Sequence, residues 1–418
     1  MAIVGNRRGW IAVACLNVTW MLWTGTIKGL GLMIPSLMEQ FTAQTWLIGW
    51  MIDIVIAVIN ISGPVAAPLG ATFGVRAVVM VSGMMVGGSL IVASFGSIVA
   101  QLIMILAIGY GPGMSFANIL TKVEIARRFE HNYATANGIA QTGNPLGLIL
   151  VVPLIKLCLD TYGWRGAFLV LGGLNLNLVV CGALLGKPSI ETNRESFKSV
   201  PSCEEGTTTK SSTLRNALVI LKSRFGISVC LRLTFWIPAI MFICNTVVDA
   251  FWSIYYVNHV EVKGFTSDNA VVFITAAGVA KLFSKIGFGI LVDRGILKLR
   301  PALAIVIIVP MICLIIDPWM DSYWLLLINV VIFAAFSSAL ASLNDVYTRE
   351  LIGRDLIACA FSWMGLAIGI ITFCSGFLPG WILEQTGSYD VAFVVTGCLY
   401  IPPLVALFIE SVLLQRNT

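Results

Sequence analysis

Twelve apolar stretches, each about 20 residues long, dominate the sequence. A helix of about 20 apolar residues crosses the ~30 Å hydrocarbon core of a lipid bilayer. This feature therefore predicts an all-α integral membrane protein with twelve transmembrane helices. The predicted spans are residues 9–34, 45–66, 77–98, 100–121, 134–157, 164–186, 226–257, 269–291, 301–317, 322–344, 356–382 and 390–414.

The composition excludes several classes of soluble protein. Hydrophobic residues make up 58% of the chain and charged residues only 11%, whereas an ordinary soluble domain has about 25% charged residues. So little polar surface cannot solvate a globule of this length. A soluble enzyme, a disordered chain and a nucleic-acid-binding protein are excluded, and the main partner is the lipid bilayer.

Cysteine and histidine usage argues against disulfides, metals and cofactors. The ten cysteines include no Cys-x-x-Cys pair and lie mostly inside apolar runs, where Cys behaves as a small hydrophobic residue. The two histidines, His131 and His259, are predicted to lie in solvated loops. The spans contain no clustered histidines, paired carboxylates or nucleophile motif, so we expect no bound metal, no cofactor and no enzymatic activity.

One long polar segment divides the chain. Residues 187–225 are rich in Ser, Thr, Lys and Glu without apolar periodicity, which is typical of a flexible linker. The predicted organisation is an N-terminal six-helix half (1–186), the linker (187–225) and a C-terminal six-helix half (226–418).

The distribution of basic residues predicts the orientation. With the N-terminus inside, nineteen Lys and Arg residues fall in the inner segments and three in the outer segments. Positive residues are enriched on the cytoplasmic side of membrane proteins. Both termini and the linker are therefore predicted to be cytoplasmic.

The two halves repeat each other at corresponding positions. TYGWRGAFLVLGG (161–173) is echoed by TGSYDVAFVVTGC (386–398), and PLGATFGVR (68–76) by GILVDRGIL (289–297). Parallel repeats joined by a linker are typical of alternating-access transporters, which bind their substrate between the halves.

The sequence resembles the major facilitator superfamily, and within it the monocarboxylate transporter family. Asp293 and Arg294 match the superfamily's Gly-x-x-x-Asp-Arg turn, which implies a gating role for them. The segments that resemble the monocarboxylate branch are FEHNYATANGIAQTGNPLG (129–147), GWRGAFLVLGGLNLNLVVCGALL (163–185) and SGFLPGWILEQTGSYDVAF (375–393). The resemblance implies the major facilitator fold, a small organic monocarboxylate as substrate and a plasma-membrane location. It leaves open co-transport of a proton and association with an accessory single-span subunit.

Charged residues inside the spans are few, and each carries a free-energy cost of burial in the bilayer. A charge at the bilayer centre costs about 2.5–3.5 kcal/mol, so we expect those present to face a water-filled cavity. Lys28 matches the first-span lysine of the family, which implies that it binds the substrate carboxylate or carries the proton. The alternative is a lysine that extends to the outer membrane surface.

Lys281 and Lys285 are four residues apart and share one helical face. By resemblance, Lys285 occupies the position of the family's carboxylate-binding arginine, and Lys281 replaces an aspartate of the proton-coupled members. Both are predicted to bind the substrate; the alternative for Lys285 is extension towards the cytoplasm. Asp249 and Asp53 are candidate counter-ions or proton-coupling groups. A structural ion pair or an outward-facing polar group is the alternative for each.

These features predict a secondary active transporter that moves a small organic monocarboxylate by alternating access. Coupling to a proton, by symport, stays open. One alternative is a facilitator of another small solute, such as an amino-acid derivative or another organic anion, because fold does not determine substrate. The other alternative is a non-transporting receptor or scaffold of the same fold, which would not need charges in the cavity.

Overall fold

The computed structural model describes residues 7–41, 45–185, 226–375 and 389–415, and these residues form a helical bundle. The first six spans are α1 (Arg7–Phe41), α2 (Thr45–Ile61 and Gly63–Phe73), α3 (Val75–Ala93), α4 (Val99–Arg128), α5 (133–162) and α6 (164–184). The second six are α7 (Leu233–Val262), α8 (Ser267–Asp293), α9 (Leu299–Ile316), α10 (Tyr323–Ile352), α11 (Ile357–Ser375) and α12 (Tyr389–Cys398 and Ile401–Gln415). The predicted linker 187–225 lies outside the described residues and stays a prediction.

Twelve spans account for the described helices. Nine of these helices are long and apolar enough to cross a membrane, and one of the nine is Tyr133–Leu184, with 52 residues. At 1.5 Å per residue it would be more than twice as long as the bilayer core is thick. It breaks at Gly163, whose φ of 67° is in the region that favours glycine. It therefore supplies two spans, α5 and α6.

The two remaining spans are irregular. Helix α2 bends by 47° between its two segments, where the second segment begins with Gly63 and Pro64. Helix α11 contains the shorter apolar helix Ile357–Thr372, and the end of its predicted span, 376–382, lies outside the described residues. The predicted all-α fold with twelve transmembrane helices is confirmed.

Three hydrophobic cores hold the bundle together. One lies within α1–α6 and contains Leu30, Tyr110 and Phe168. A second lies within α7–α12. The third is shared between the halves: it combines residues of all six helices of the first half with residues of α7, α10 and α11. This shared core fixes how the halves meet.

Helices α1 and α5 touch through two glycines. A Cβ added at Gly143 would collide with the carbonyl oxygen of Asn17, and one added at Gly147 would collide with that of Met21. Both pairs are spaced by four residues, so the glycines form one smooth strip on α5. The contact places the polar residues of α5 towards the other half of the molecule.

The halves are joined at one end of the bundle, which we call the closed end. It carries the segments 129–132, 294–298 and 353–356 between helices. The backbones of α5 and α8 approach closely here: a Cβ at Gly289 would lie 2.7 Å from the carbonyl oxygen of Ala134. The cross-half contacts described below all lie in the half of the bundle that leads to this end.

His259 is not in a loop, contrary to the prediction. Helix α7 continues to Val262, beyond the predicted end of its span, and the His259 side chain is buried. Its Nε2 lies 2.7 Å from Oδ2 of Asp317, whose Oδ1 accepts a hydrogen bond from Asn329. Lys263 donates to the carbonyl oxygen of Asp317 at 2.7 Å. Polar partners at the end of α9 therefore stabilise the last turns of α7. His131 is exposed in segment 129–132, as predicted.

Candidate functional site between the two halves

Lys281 of α8 and Asp249 of α7 form the central ion pair of the site. The Lys281 Nζ donates to Oδ1 of Asp249 at 2.5 Å, and it lies 5.2 Å from the centre of the Trp252 ring. Asp249 and Trp252 are three residues apart and thus share one face of α7. The Asp249 side chain is 42% exposed and that of Lys281 19% exposed. The structure brings together these two predicted site residues, and one of them remains accessible.

Lys28 of α1 adds a second positive charge to this pair. Its charge interacts with those of Asp249 and Lys281, and its side chain is exposed. Among the described residues it has no hydrogen-bond or ion-pair partner. An unpaired ammonium within a membrane-spanning helix favours an anion from solution as its partner.

Lys285 lies one helical turn from Lys281 but in different surroundings. It is buried, and its Nζ donates to both the backbone oxygen and Oε1 of Gln141, each at 3.3 Å. Gln141 belongs to α5 in the other half. The α5 backbone lies directly against this position, because a Cβ at Gly138 would collide with the carbonyl oxygen of Lys285.

Gln141 continues into a network that the sequence analysis missed. Its Nε2 donates to Oδ2 of Asp345 at 2.6 Å, and the same oxygen lies 3.0 Å from Nζ of Lys122. Asn137 also donates to the backbone oxygen of Ser342 at 3.1 Å. Lys122, Asn137 and Gln141 lie in the first half, whereas Ser342 and Asp345 lie in the second. A glutamine inside the apolar span 134–157 was the available signal for this network.

Asp53 does not join the cluster. Its side chain on α2 is exposed and has no hydrogen-bond or ion-pair partner among the residues that the structure describes. No charged group of the site is among those that act on it. Of the two predicted counter-ions, the structure places only Asp249 beside the lysines.

The cluster carries an excess of positive charge. Lys122 and Asp345 cancel each other, which leaves the ammonium groups of Lys28, Lys281 and Lys285 against the carboxylate of Asp249. With all groups ionised, the formal excess is two positive charges. Such an excess in a membrane interior is stabilised by an anionic ligand.

The predicted gating turn joins the halves at the closed end. Asp293 ends α8, and its carboxylate oxygens accept hydrogen bonds from the N–H groups of Ala134 at 3.2 Å and Thr135 at 2.6 Å. These N–H groups begin α5 and have no acceptor within the helix. A carboxylate at a helix N-terminus is also favoured by the helix dipole. Arg294, by contrast, is exposed.

Two arginines of the second half reinforce this end. Arg349 donates to the backbone oxygen of Phe129 and lies 4.3 Å from the centre of the Tyr133 ring. Arg354 Nη1 lies 3.0 Å from Oε1 of Glu130, and this contact holds the pKa of the Glu130 carboxyl below its ordinary value. Glu130 of the first half thus gains a basic partner from the second half.

Comparison with known proteins agrees with this architecture. Residues 10–321 match the Major Facilitator Superfamily, and the chain belongs to that superfamily. It is 24% identical over 404 residues to mouse monocarboxylate transporter 12, covering 93% of this chain and 82% of the relative. It is 25% identical over 423 residues to zebrafish monocarboxylate transporter 12-B, covering 98% and 88%. The predicted resemblance to the monocarboxylate transporter family is confirmed.

A solved structure has the same fold. A crystal structure of the E. coli fucose:proton symporter FucP superposes with a TM-score of 0.71 at 14% identity, covering 96% of this chain and 99% of that one. Membership of the superfamily, shown by the match over residues 10–321, makes the protein an integral membrane transporter of the major facilitator class.

Proposed function

We propose that the protein moves a small organic monocarboxylate across the plasma membrane by alternating access. The observation that carries this proposal is the clustering of three lysines, Lys28, Lys281 and Lys285, around the single carboxylate of Asp249, a formal excess of two positive charges when all four groups are ionised. A carboxylate that enters this site pairs with Lys28, which has no partner among the described residues, and offsets part of the cost of the buried charge. The names of the relatives support the same substrate class.

We also propose a direction for this conformation. The basic bias of the sequence puts both termini, and with them the closed end, on the cytoplasmic side. The site is then open to the outside and closed to the cytoplasm. Asp293 and Arg294 act as the gating turn, since Asp293 contributes to the closed end through α5.

The test is uptake into proteoliposomes that contain the purified full chain. Labelled pyruvate, lactate and acetate are compared with their neutral amides, with and without an imposed pH gradient. We expect the acids to be taken up and the amides to be excluded. Uptake of amides, or no uptake and no competition by any carboxylate, would overturn the proposal. Stimulation by an inward proton gradient would indicate symport.

A second candidate is transport of an amino-acid derivative, and the exposure of Asp249 favours it. A carboxylate that is 42% exposed beside Lys281 can accept a substrate's cationic group while Lys28 binds its carboxylate. Labelled zwitterions belong in the same panel. Asp249→Asn distinguishes the two candidates, because it should abolish uptake of a zwitterion but leave binding of a simple monocarboxylate.

A further inference from the structure

Lys281 and Lys285 of α8 differ in their hydrogen-bond and ion-pair partners. Lys281 pairs with Asp249 of its own half, and both side chains are partly exposed. Lys285 is 5% exposed, and both of its hydrogen bonds go to Gln141 of the opposite half. An anion that enters beside Lys28 therefore meets Lys281 but is separated from the ammonium of Lys285.

The Gln141 side chain is oriented by charge on both sides. Its carbonyl oxygen accepts from the ammonium of Lys285, and its amide nitrogen donates to the carboxylate of Asp345 at 2.6 Å. A flipped amide would place N–H groups against the ammonium and oxygen against the carboxylate, which are repulsive in both cases. Lys122, 3.0 Å from Asp345, keeps that carboxylate paired. One orientation of the amide is therefore strongly favoured.

All of these contacts cross between the halves. Gln141 and Lys122 belong to the first half, and Lys285 and Asp345 belong to the second. Parting of the halves at the closed end separates Lys285 from Gln141 and leaves its ammonium without a partner.

From these observations we propose that Gln141 is a positioning residue. It keeps the ammonium of Lys285 buried and apart from the exposed side chain of Lys28 and the partly exposed side chain of Lys281, and it releases Lys285 only when the closed end opens. The substrate then meets Lys28 and Lys281 from one side of the membrane and Lys285 from the other. This inference rests on the proposed function for the identity of the anion, but the position of Lys285 can be measured without any substrate.

The experiment maps lysine reactivity from one side of the membrane. Intact cells that express the full chain are treated with the impermeant amine reagent sulfo-N-hydroxysuccinimide acetate, and acetylated peptides are quantified by mass spectrometry. We expect Lys28 to react at least tenfold faster than Lys285. Gln141→Leu keeps the volume and the backbone acceptor but removes the side-chain hydrogen bonds to Lys285 and Asp345, and it should raise acetylation of Lys285 at least fivefold. Opening of the closed end exposes Lys285 only to the cytoplasm, where the reagent is absent, so a general loosening of that end does not produce this result.

Two controls accompany this variant. Gln101→Leu makes the same change at an exposed position on α4 and should leave the reactivity of Lys285 unchanged. The double variant Lys122→Gln with Asp345→Asn removes the charge that orients the Gln141 amide without leaving an unpaired ammonium. It should raise acetylation of Lys285 like Gln141→Leu, which provides a second test if Gln141→Leu does not fold. Equal rates at Lys28 and Lys285 in the parent, or no increase at Lys285 in the folded variants, would overturn the proposal.

If the proposed orientation in the membrane is wrong, the lysines will show a different labelling pattern. If Lys28 reacts only in inside-out vesicles, the site faces the cytoplasm and the proposed direction is wrong. The same comparison of Lys285 in parent and variants, made in those vesicles, then decides the role of Gln141. Failure of carboxylate uptake in proteoliposomes, with the reactivity pattern intact, would reject only the proposed substrate.

Discussion

Lys122 and Asp345 form an ion pair at 3.0 Å that joins the two halves of the bundle, with side chains 12% and 4% exposed. The ammonium also lies 5.2 Å from the centre of the Trp20 ring and 5.1 Å from that of Phe361. A charge pair so enclosed can be broken only at a large cost, because either partner alone is an unpaired charge in an apolar environment.

We therefore expect Lys122→Gln to destabilise the protein by about 3–5 kcal/mol. The double variant Lys122→Gln with Asp345→Asn should recover much of this loss, since no charge is then left unpaired. Thermal unfolding of the parent, Lys122→Gln, Asp345→Asn and the double variant in one detergent measures the coupling free energy between the two residues. Additive losses in the double variant would show that the pair is not coupled.

Lys28→Gln should raise the KM for a transported carboxylate at least tenfold without lowering thermal stability. The reason is that Lys28 contributes charge to the site but has no partner among the described residues. Lys156→Gln is the matched control, because Lys156 is an exposed lysine on α5 and should behave like the parent. Concentration-dependent uptake of both variants, at matched surface expression, is the measurement. A parental KM in Lys28→Gln would place the anion site elsewhere.

Asp293→Ala removes the acceptor for two N–H groups at the start of α5. Loss of such a cap costs about 0.5–2 kcal/mol. Because this cap joins the two halves, its loss destabilises the closed conformation relative to the open one. Spin labels at the exposed positions 131 and 296 report the separation of the halves by electron–electron double resonance. We expect a longer-distance population to grow in Asp293→Ala but not in Lys298→Ala, which changes an exposed residue between α8 and α9. Equal distance distributions in Asp293→Ala and the parent would argue against a gating role for Asp293.

The ion pair of Glu130 and Arg354 should be insensitive to pH in the physiological range. The pKa of Glu130 is lowered from its ordinary value of 4.5, chiefly by the hydrogen bond with Arg354. A group with a depressed pKa contributes fully above its unfolded value, and this contribution is lost only as the pH falls through the depressed value. Glu130→Gln should therefore leave the shape of the pH profile of transport between pH 6 and pH 8 unchanged. A shifted profile would mean that Glu130 titrates in that range.

Gly143→Ala should destabilise the protein by about 1–3 kcal/mol because a Cβ there meets the backbone of α1. Gly173→Ala is the control, since a Cβ at Gly173 meets nothing within 4 Å, and it should be neutral or slightly stabilising. Thermal unfolding of both variants in the same detergent tests the contact. Equal thermal stability of the two variants would show that α1 and α5 can move apart without loss of stability.

The sequence was sufficient to predict the twelve helices, because a bilayer imposes length and hydropathy on each span independently. It also singled out Asp249 and Lys281, which the structure pairs, since a charge within an apolar span stands out; their role in binding stays a prediction. Whether a charge faces the cavity is a different question. Asp53 stands out equally in the sequence, yet its position on α2 does not bring it to the lysines.

The network around Gln141 could not be predicted in the same way. Gln141 and Asp345 are 204 residues apart, and their hydrogen bond depends on how the two halves meet. Asp345 directly follows the predicted span 322–344, and no local pattern pairs it with Lys122. His259 was misplaced for a related reason: hydropathy falls near residue 257, whereas α7 continues because Asp317 supplies a buried partner for the imidazole.

The shared core has a consequence for the kinetics of a transport cycle. It buries apolar residues of both halves, such as Leu16, Phe235 and Met364. Parting the halves at the closed end would expose part of this surface at about 25 cal/mol per Å². Because this cost is the same with or without substrate bound, we expect it to slow substrate exchange and net flux alike.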